Sequence, residues 1–191
     1  MAILMTGLCE QGVELIWKQC NEELYPQGIE YLEEAAHAGD AEGWFFLGNC
    51  YSWGEGAVGF SDKKAYECYK KGIEGGSVRC VLGAARAGQF DEELKKASPC
   101  TLEESYRAVL QSAEEGDAFS AFQIAAAYEW ETIFDLLQPE EQKRGNCYKW
   151  YEQAAKGGIV STMVKVGKCC LNGQYVPKNE ENIEDFTEHP H

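Results

Sequence analysis

A glycine step recurs along this chain at near-regular intervals. Gly39, Gly76, Gly116 and Gly158 stand 37, 40 and 42 residues apart. In the sharpest copy, Ala35-Ala36 closes one helical stretch and Gly39 supplies the left-handed turn that ends it. Asp40 then caps the next helix by accepting a backbone N–H bond. Trp44, Leu47, Gly48 and Tyr51 follow at helical spacing on one face. The stretch Gly116 to Tyr128 superposes on Gly39 to Tyr51 without a gap, and Ala154-Ala155 before Gly158 repeats the helix end. A weaker copy surrounds Gly76, with Ala84-Ala85 where Leu47-Gly48 stand and Gly88 in the place of Tyr51. A period of this size implies helix pairs piled in a row. The expected fold is all-α: an α-α superhelix, a right-handed solenoid of antiparallel helix pairs.

Further residues continue the pattern after the first repeat helix: Gly54-Glu55-Gly56, Asp62-Lys63-Lys64-Ala65 and Cys68-Tyr69. Asn172-Gly173-Gln174-Tyr175-Val176-Pro177 does so after the last. From about Gly28 to Asn179 the chain resembles the Sel-one-like repeats, a branch of the tetratricopeptide superfamily. The resemblance implies one helical-repeat domain over residues 1–191. A capping helix is expected within 1–26, running from about residue 2 to 23. About four units follow over 27–178, then a short helix capped by Asn179 and reaching Phe186, and a mobile tail. It also implies a non-enzymatic scaffold or adaptor that assembles other proteins. A few bacterial relatives have been linked to cell-wall or β-lactam chemistry, which leaves a hydrolase-like or cell-wall-related activity as the alternative.

The net charge of −15 disfavours nucleic acid, whose phosphates require Lys and Arg. It disfavours an anionic membrane surface for the same reason. The sequence lacks an apolar run of about 18 residues and a basic segment before its first apolar residues, so neither a membrane span nor a secretory signal is expected. Nine cysteines, an odd number without Cys-x-x-Cys spacing, read as reduced core thiols of a cytoplasmic protein.

No reactive set stands out. Of the three histidines, His37 lies at a helix end and His189 and His191 lie in the tail. Gly54 to Gly59 is glycine-rich but acidic and joins two helices, which suits a turn rather than a phosphate cradle. No catalytic residue, metal or cofactor is expected.

Curvature of stacked pairs creates a concave surface, lined in this superfamily by the first helix of each pair. With Trp44, Leu47, Gly48 and Tyr51 turned to the partner helix, the positions between them are expected to face the groove. These are Phe45, Asn49 and Trp53 in the first unit, Arg79 and Arg86 in the second, Phe119, Phe122 and Trp130 in the third, and Lys168 in the fourth. Aromatics are common interface anchors, and a basic spot on an acidic body favours a carboxylate. The expected ligand is a protein or peptide bearing an acidic group, bound by a monomer or weak homo-oligomer. The competing reading is that the aromatics fill gaps between stacked units and the basic residues pair with nearby Glu or Asp.

Overall fold

The computed structural model describes residues 3, 5–129 and 140–178, with side chains from residue 147 onward in the last stretch. Among the described residues all regular structure is helical. The helices are α1 (Gly7–Val13), α2 (Tyr25–His37), α3 (Ala41–Trp53), α4 (Asp62–Glu74) and α5 (Val78–Arg86). They continue with α6 (Glu92–Ala97), α7 (Leu102–Glu114), α8 (Ala118–Glu129), α9 (Glu140–Lys156) and α10 (Val160–Asn172). They gather in two compact bodies, residues 1–108 and 109–191. Each consists of helices packed against their neighbours in antiparallel pairs, the all-α repeat architecture expected from the glycine period.

The four glycine breaks share one geometry. Gly39 has φ +98°, a region that costs a side chain energy and glycine little. The Asp40 N–H donates to the Ala35 carbonyl at 3.0 Å and the Gly39 N–H to that of Ala36 at 3.2 Å. These bonds satisfy carbonyls that a helix end leaves open. Gly76, Gly116 and Gly158 repeat both bonds, with φ of +90°, +105° and +93°. Three of the four helices that follow are then capped by a side chain, the exception being α10 after Ile159. Asp40 accepts from the Glu42 N–H, Ser77 from Cys80 and Asp117 from Ser120.

Other ends follow sequence chemistry with small differences. Ser61 caps α4 by accepting from the Lys64 N–H. The short α6 is capped by Asp91, which accepts from the Leu94 N–H at 2.9 Å. Thr101 and Glu104 form a reciprocal capping box at the start of α7: the Thr101 N–H donates to Glu104 Oε2 at 2.8 Å and the Glu104 N–H to Thr101 Oγ1 at 3.2 Å.

The N-terminal stretch departs from the single helix expected over residues 2–23. Thr6 caps α1, which passes into a π-turn over Glu14–Lys18. Cys20 then takes φ +50° before a 3-10 turn over Glu22–Leu24. The reason lies in α2. A Cβ on Gly12 would stand 2.7 Å from Leu32 Cγ, and one on Gly28 2.7 Å from Ile16 Cγ1. These glycines let α1 and its π-turn lie tightly along α2, as the first member of a helix pair.

In the N-terminal body α3 is the hub. Its Gly43 approaches the backbone of Ala36, and a Cβ on its Gly48 would lie 2.5 Å from Tyr69 Cε1 on α4. Residues Phe45 to Cys50 are all buried. In the C-terminal body α8 is equally enclosed, from Phe119 to Tyr128 except for half-buried Phe122. Trp130, residues 131–139, and the short helix and tail expected from Asn179 onward lie outside the described residues.

Candidate partner-binding surface

The expected groove residues separate into three groups. Phe45 and Arg79 are interior. The Arg79 guanidinium lies 5.8 Å from the Phe45 ring and 5.9 Å from that of Phe46. Its Nη1 stands 3.5 Å from Glu42 Oε2 and 3.7 Å from Met5 Sδ. Glu42 in turn accepts a 2.7 Å bond from Ser77 Oγ. Phe119 is also interior, edge-on to Phe122 with centroids 5.4 Å apart. For these residues the competing reading holds: the aromatics fill the stack and the arginine pairs with a glutamate. The burial of Phe45, Arg79 and Phe119 removes them from a surface that a partner touches, which corrects their expected place in the groove.

Phe122 and Lys168 form a second group, both in the C-terminal body. Phe122 is half-buried, 6.4 Å from the Tyr151 ring. Lys168 is exposed on α10, whose outer side also carries exposed Val164 and Leu171. Nearby, Tyr151 donates to Glu129 at 2.5 Å, and Lys165 pairs with the same carboxylate. Burial, then the Glu129 contact, pushes the Tyr151 hydroxyl far above its ordinary range. This is a structural cluster that neutralises its own charge.

The third group comes together. Asn49 and Trp53 stand one turn apart on α3, and Arg86 is the last residue of α5. Arg86 Nη2 donates to Asn49 Oδ1 at 3.0 Å, and its Cζ lies 5.1 Å from the Trp53 ring centroid. Tyr69 of α4 supports the pair from below, donating to Asn49 Oδ1 at 3.0 Å with Ser52 Oγ 3.1 Å from its oxygen. Burial pushes the Tyr69 hydroxyl up to about 12, with Arg86 and Ser52 pulling the other way. Asn49 is only 2% exposed, whereas Trp53 is 47% exposed.

Arg86 differs from Arg79 in one respect that matters for binding: among the described residues it makes no ion pair. Its Nε and Nη1 are buried without a hydrogen-bond partner, as is Nδ2 of Asn49. Glu55 lies within its field but is engaged elsewhere, accepting from the Trp17 indole N–H at 2.6 Å. Burial raises the Glu55 carboxyl, and Trp17 and Arg86 partly offset the rise.

The same body holds a cavity of about 420 Å³ that sequence reasoning did not foresee. It opens between Ile3, Met5 and Thr6 and the turns at Gly39 and Gly76. Asp40 fastens the N-terminal segment there, accepting from both the backbone N–H and the hydroxyl of Thr6 at 2.7 Å. No local pattern in residues 3–6 announces this long-range contact.

The nine thiols are free and seven are buried. Burial raises Cys68 to about 11 and Cys147 to about 12, which keeps them protonated and unreactive. Among the described residues no three His, Cys, Asp or Glu side chains are grouped to hold a metal ion, and no helix is long and apolar enough to cross a membrane.

Antiparallel helix pairs joined by a repeated glycine turn define a helical-repeat protein. Comparison with family models gives its kind: the Sel1 repeat matches at residues 23–40, 42–77, 139–159 and 160–182, together just over half of the chain. The chain belongs to the Sel1 repeat family. The matches omit residues 78–138, so the copy around Gly116 is outside them although its turn carries the same two bonds. No curated protein matches the sequence. Among solved structures, it is similar to a Sel1 repeat protein from Oxalobacter formigenes, at 19% identity and a TM-score of 0.41, covering 84% of this chain and 43% of that one. It is also similar to c5321, a protective antigen of uropathogenic Escherichia coli strains displaying an SLR fold. There the identity is 18% and the TM-score 0.30, covering 86% of this chain and 43% of that one. The chain therefore spans less than half the length of either protein.

Proposed function

We propose that this protein is a non-enzymatic scaffold or adaptor that binds a peptide or partner loop bearing an acidic group, on the face of the N-terminal body formed by Arg86, Trp53 and Asn49. Sel1 repeats are in general protein-interaction modules, which supports the broad reading. The single observation that carries the finer one is Arg86. In a chain of net charge −15 it is a guanidinium without an ion pair among the described residues, stacked on a half-exposed indole. An acidic group would supply the missing counter-charge in a partly desolvated place, where charge-assisted bonds are strongest. Trp53 would add contact area of the kind that anchors interfaces. Lys168 of the C-terminal body offers an exposed cation, which contributes less. The buried thiols suit a reducing, cytoplasmic setting.

The test compares proteins captured from the native cell by the wild-type chain, by Arg86→Glu and by Lys168→Glu, followed by calorimetric titration of a purified captured partner. The expected result is loss of that partner with Arg86→Glu and retention with Lys168→Glu. Undiminished affinity of Arg86→Glu for every partner would remove this face from the reading.

A further inference from the structure

We infer that Phe60 is a second anchor of the face that holds Arg86, so that the bound segment carries an apolar side chain beside its acidic one; the inference rests on the acid-binding reading above. Trp53 is 47% exposed and Phe60 67%, and among the described residues of the N-terminal body no other large apolar side chain is exposed to that degree. Both flank one loop, which joins the end of α3 to the start of α4. Scattered exposed apolar residues are commonplace, whereas two at the ends of one loop form a patch of the kind that partners cover.

Backbone geometry closes the rim on which they stand. The Ser61 N–H donates to the Tyr51 carbonyl at 2.9 Å, which draws the loop ends together. A Cβ on Gly54 would lie 3.4 Å from the Phe60 nitrogen, so Phe60 stands beside the residue that follows Trp53. On the other side, Gln89 Nε2 donates to the Asp62 carbonyl at 3.1 Å. Gln89 follows Arg86 at the end of α5, and Arg86 Cζ is 5.1 Å from the Trp53 ring centroid. Trp53, Phe60 and Arg86 therefore border one area.

The loop is also held from below. Glu55 accepts the Trp17 indole N–H at 2.6 Å, and a Cβ on Gly56 would stand 3.0 Å from Ile29 Cδ1. Ala57 keeps φ +61°, a costly conformation for a residue with a side chain, which persists only where the surroundings fix it. Phe60 is thus displayed on a fixed support, and little ordering is needed when a partner meets it. Arg86 selects what the partner brings: a carboxylate, set beside an aliphatic or aromatic side chain that covers Phe60. A lipid surface fits less well, because anionic headgroups repel a chain of net charge −15.

The experiment titrates three blocked tripeptides into the full chain: acetyl-Phe-Glu-Phe-amide, acetyl-Gly-Glu-Gly-amide and acetyl-Phe-Gln-Phe-amide. The readouts are the Phe60 backbone N–H and the Arg86 Nε–H by ¹⁵N–¹H spectroscopy, assigned with Phe60→Ser and Arg86→Lys. The expected result is that the first peptide binds about tenfold tighter than the second, because part of an aromatic side chain leaves water. Phe60→Ser should erase that margin and leave the second peptide's affinity unchanged, with circular dichroism confirming that the helices persist. A margin that is absent, or that survives Phe60→Ser, would overturn the Phe60 anchor and leave the acid-binding reading standing. Equal binding of the first and third peptides, with Phe60 still required, would overturn the acid-binding reading and with it the paired motif. No saturable shift with any of the three would overturn both, and Phe60-dependent binding to phosphatidylcholine vesicles would then assign the patch to lipid.

Discussion

The buried pair Glu42–Arg79 makes the most demanding prediction. The side chains are 7% and 1% exposed, with 3.5 Å between Arg79 Nη1 and Glu42 Oε2. At that separation and an effective dielectric of about 20, their attraction is roughly 5 kcal/mol. Arg79→Leu removes the guanidinium from beneath Phe45 and Phe46 and leaves the Glu42 carboxylate in the core without it. Breaking a buried pair in this way costs about 3–5 kcal/mol. For a chain of this length that is a fall in melting midpoint of roughly 6–20 °C. Glu42→Leu should cost a similar amount, and it also strands the Ser77 hydroxyl that Glu42 now accepts from. The double variant, which removes both charges, should recover most of the loss, because an apolar pair of similar volume is often as stable as a buried ion pair. The assay is a double-mutant cycle by urea unfolding, followed by circular dichroism in 0.05 M and 0.5 M salt. A coupling of about 3 kcal/mol or more, little changed by salt, is expected, since buried charges are screened weakly. A coupling under about 1 kcal/mol, or one that fades with salt, would mean that the pair is solvated, and the burial argument would be refuted.

Three more predictions follow from the same geometry. Gly39→Ala and Gly48→Ala should both destabilise, by about 1–3 kcal/mol, but for opposite reasons. At Gly39 there is space and φ is +98°, whereas at Gly48 the backbone is helical and a Cβ would strike Tyr69 at 2.5 Å. The additional change Tyr69→Leu should therefore relieve Gly48→Ala and leave Gly39→Ala unrelieved, as read by thermal melting. A thiol reagent at pH 8 should label at most Cys20 and Cys100, the two half-buried cysteines, in the native protein and all nine after unfolding. Alkaline stability should fall early. Burial holds Cys68 near 11, Cys147 near 12 and Tyr69 near 12, above ordinary values of 9.0 for the thiols and 10.0 for the phenol. Between those limits the unfolded chain binds fewer protons than the folded one. The contribution of these groups is thus whole below about pH 9 and is lost as pH rises toward 12, measurable by urea midpoints at stepped pH.

Much of the local structure was legible because its causes are local. A glycine in the left-handed region ends one helix and lets the next begin, and the bonds concerned span five residues or fewer. Hence the turns at Gly39, Gly76, Gly116 and Gly158, the capping box at Thr101 and the short α6 were all readable. The partner-facing side of α3 was also readable, since Gly48 permits the approach of Tyr69. The groove was not. Its face was inferred from the positions left between Trp44, Leu47, Gly48 and Tyr51, on the premise that a helix has one buried side. Yet Trp44-Phe45-Phe46-Leu47 and Ala125-Ala126-Ala127-Tyr128 are apolar all round, and that is the signal of a helix buried on more than one face.

By itself, then, the order of residues determined the glycine turns and the pairing of helices on either side of them, because these depend on hydrogen bonds and side chains a few positions apart, whereas the broken N-terminal helix depends on packing against α2. Only the tertiary structure decided which of two arginines meets a carboxylate. Arg79 and Arg86 lie seven residues apart, two turns along the same helix, and their sequence surroundings do not tell them apart. One meets Glu42 and Met5 in the interior; the other meets a half-exposed Trp53 at the helix end. That difference comes from neighbours 33 to 74 residues distant, brought in by packing rather than by any local preference.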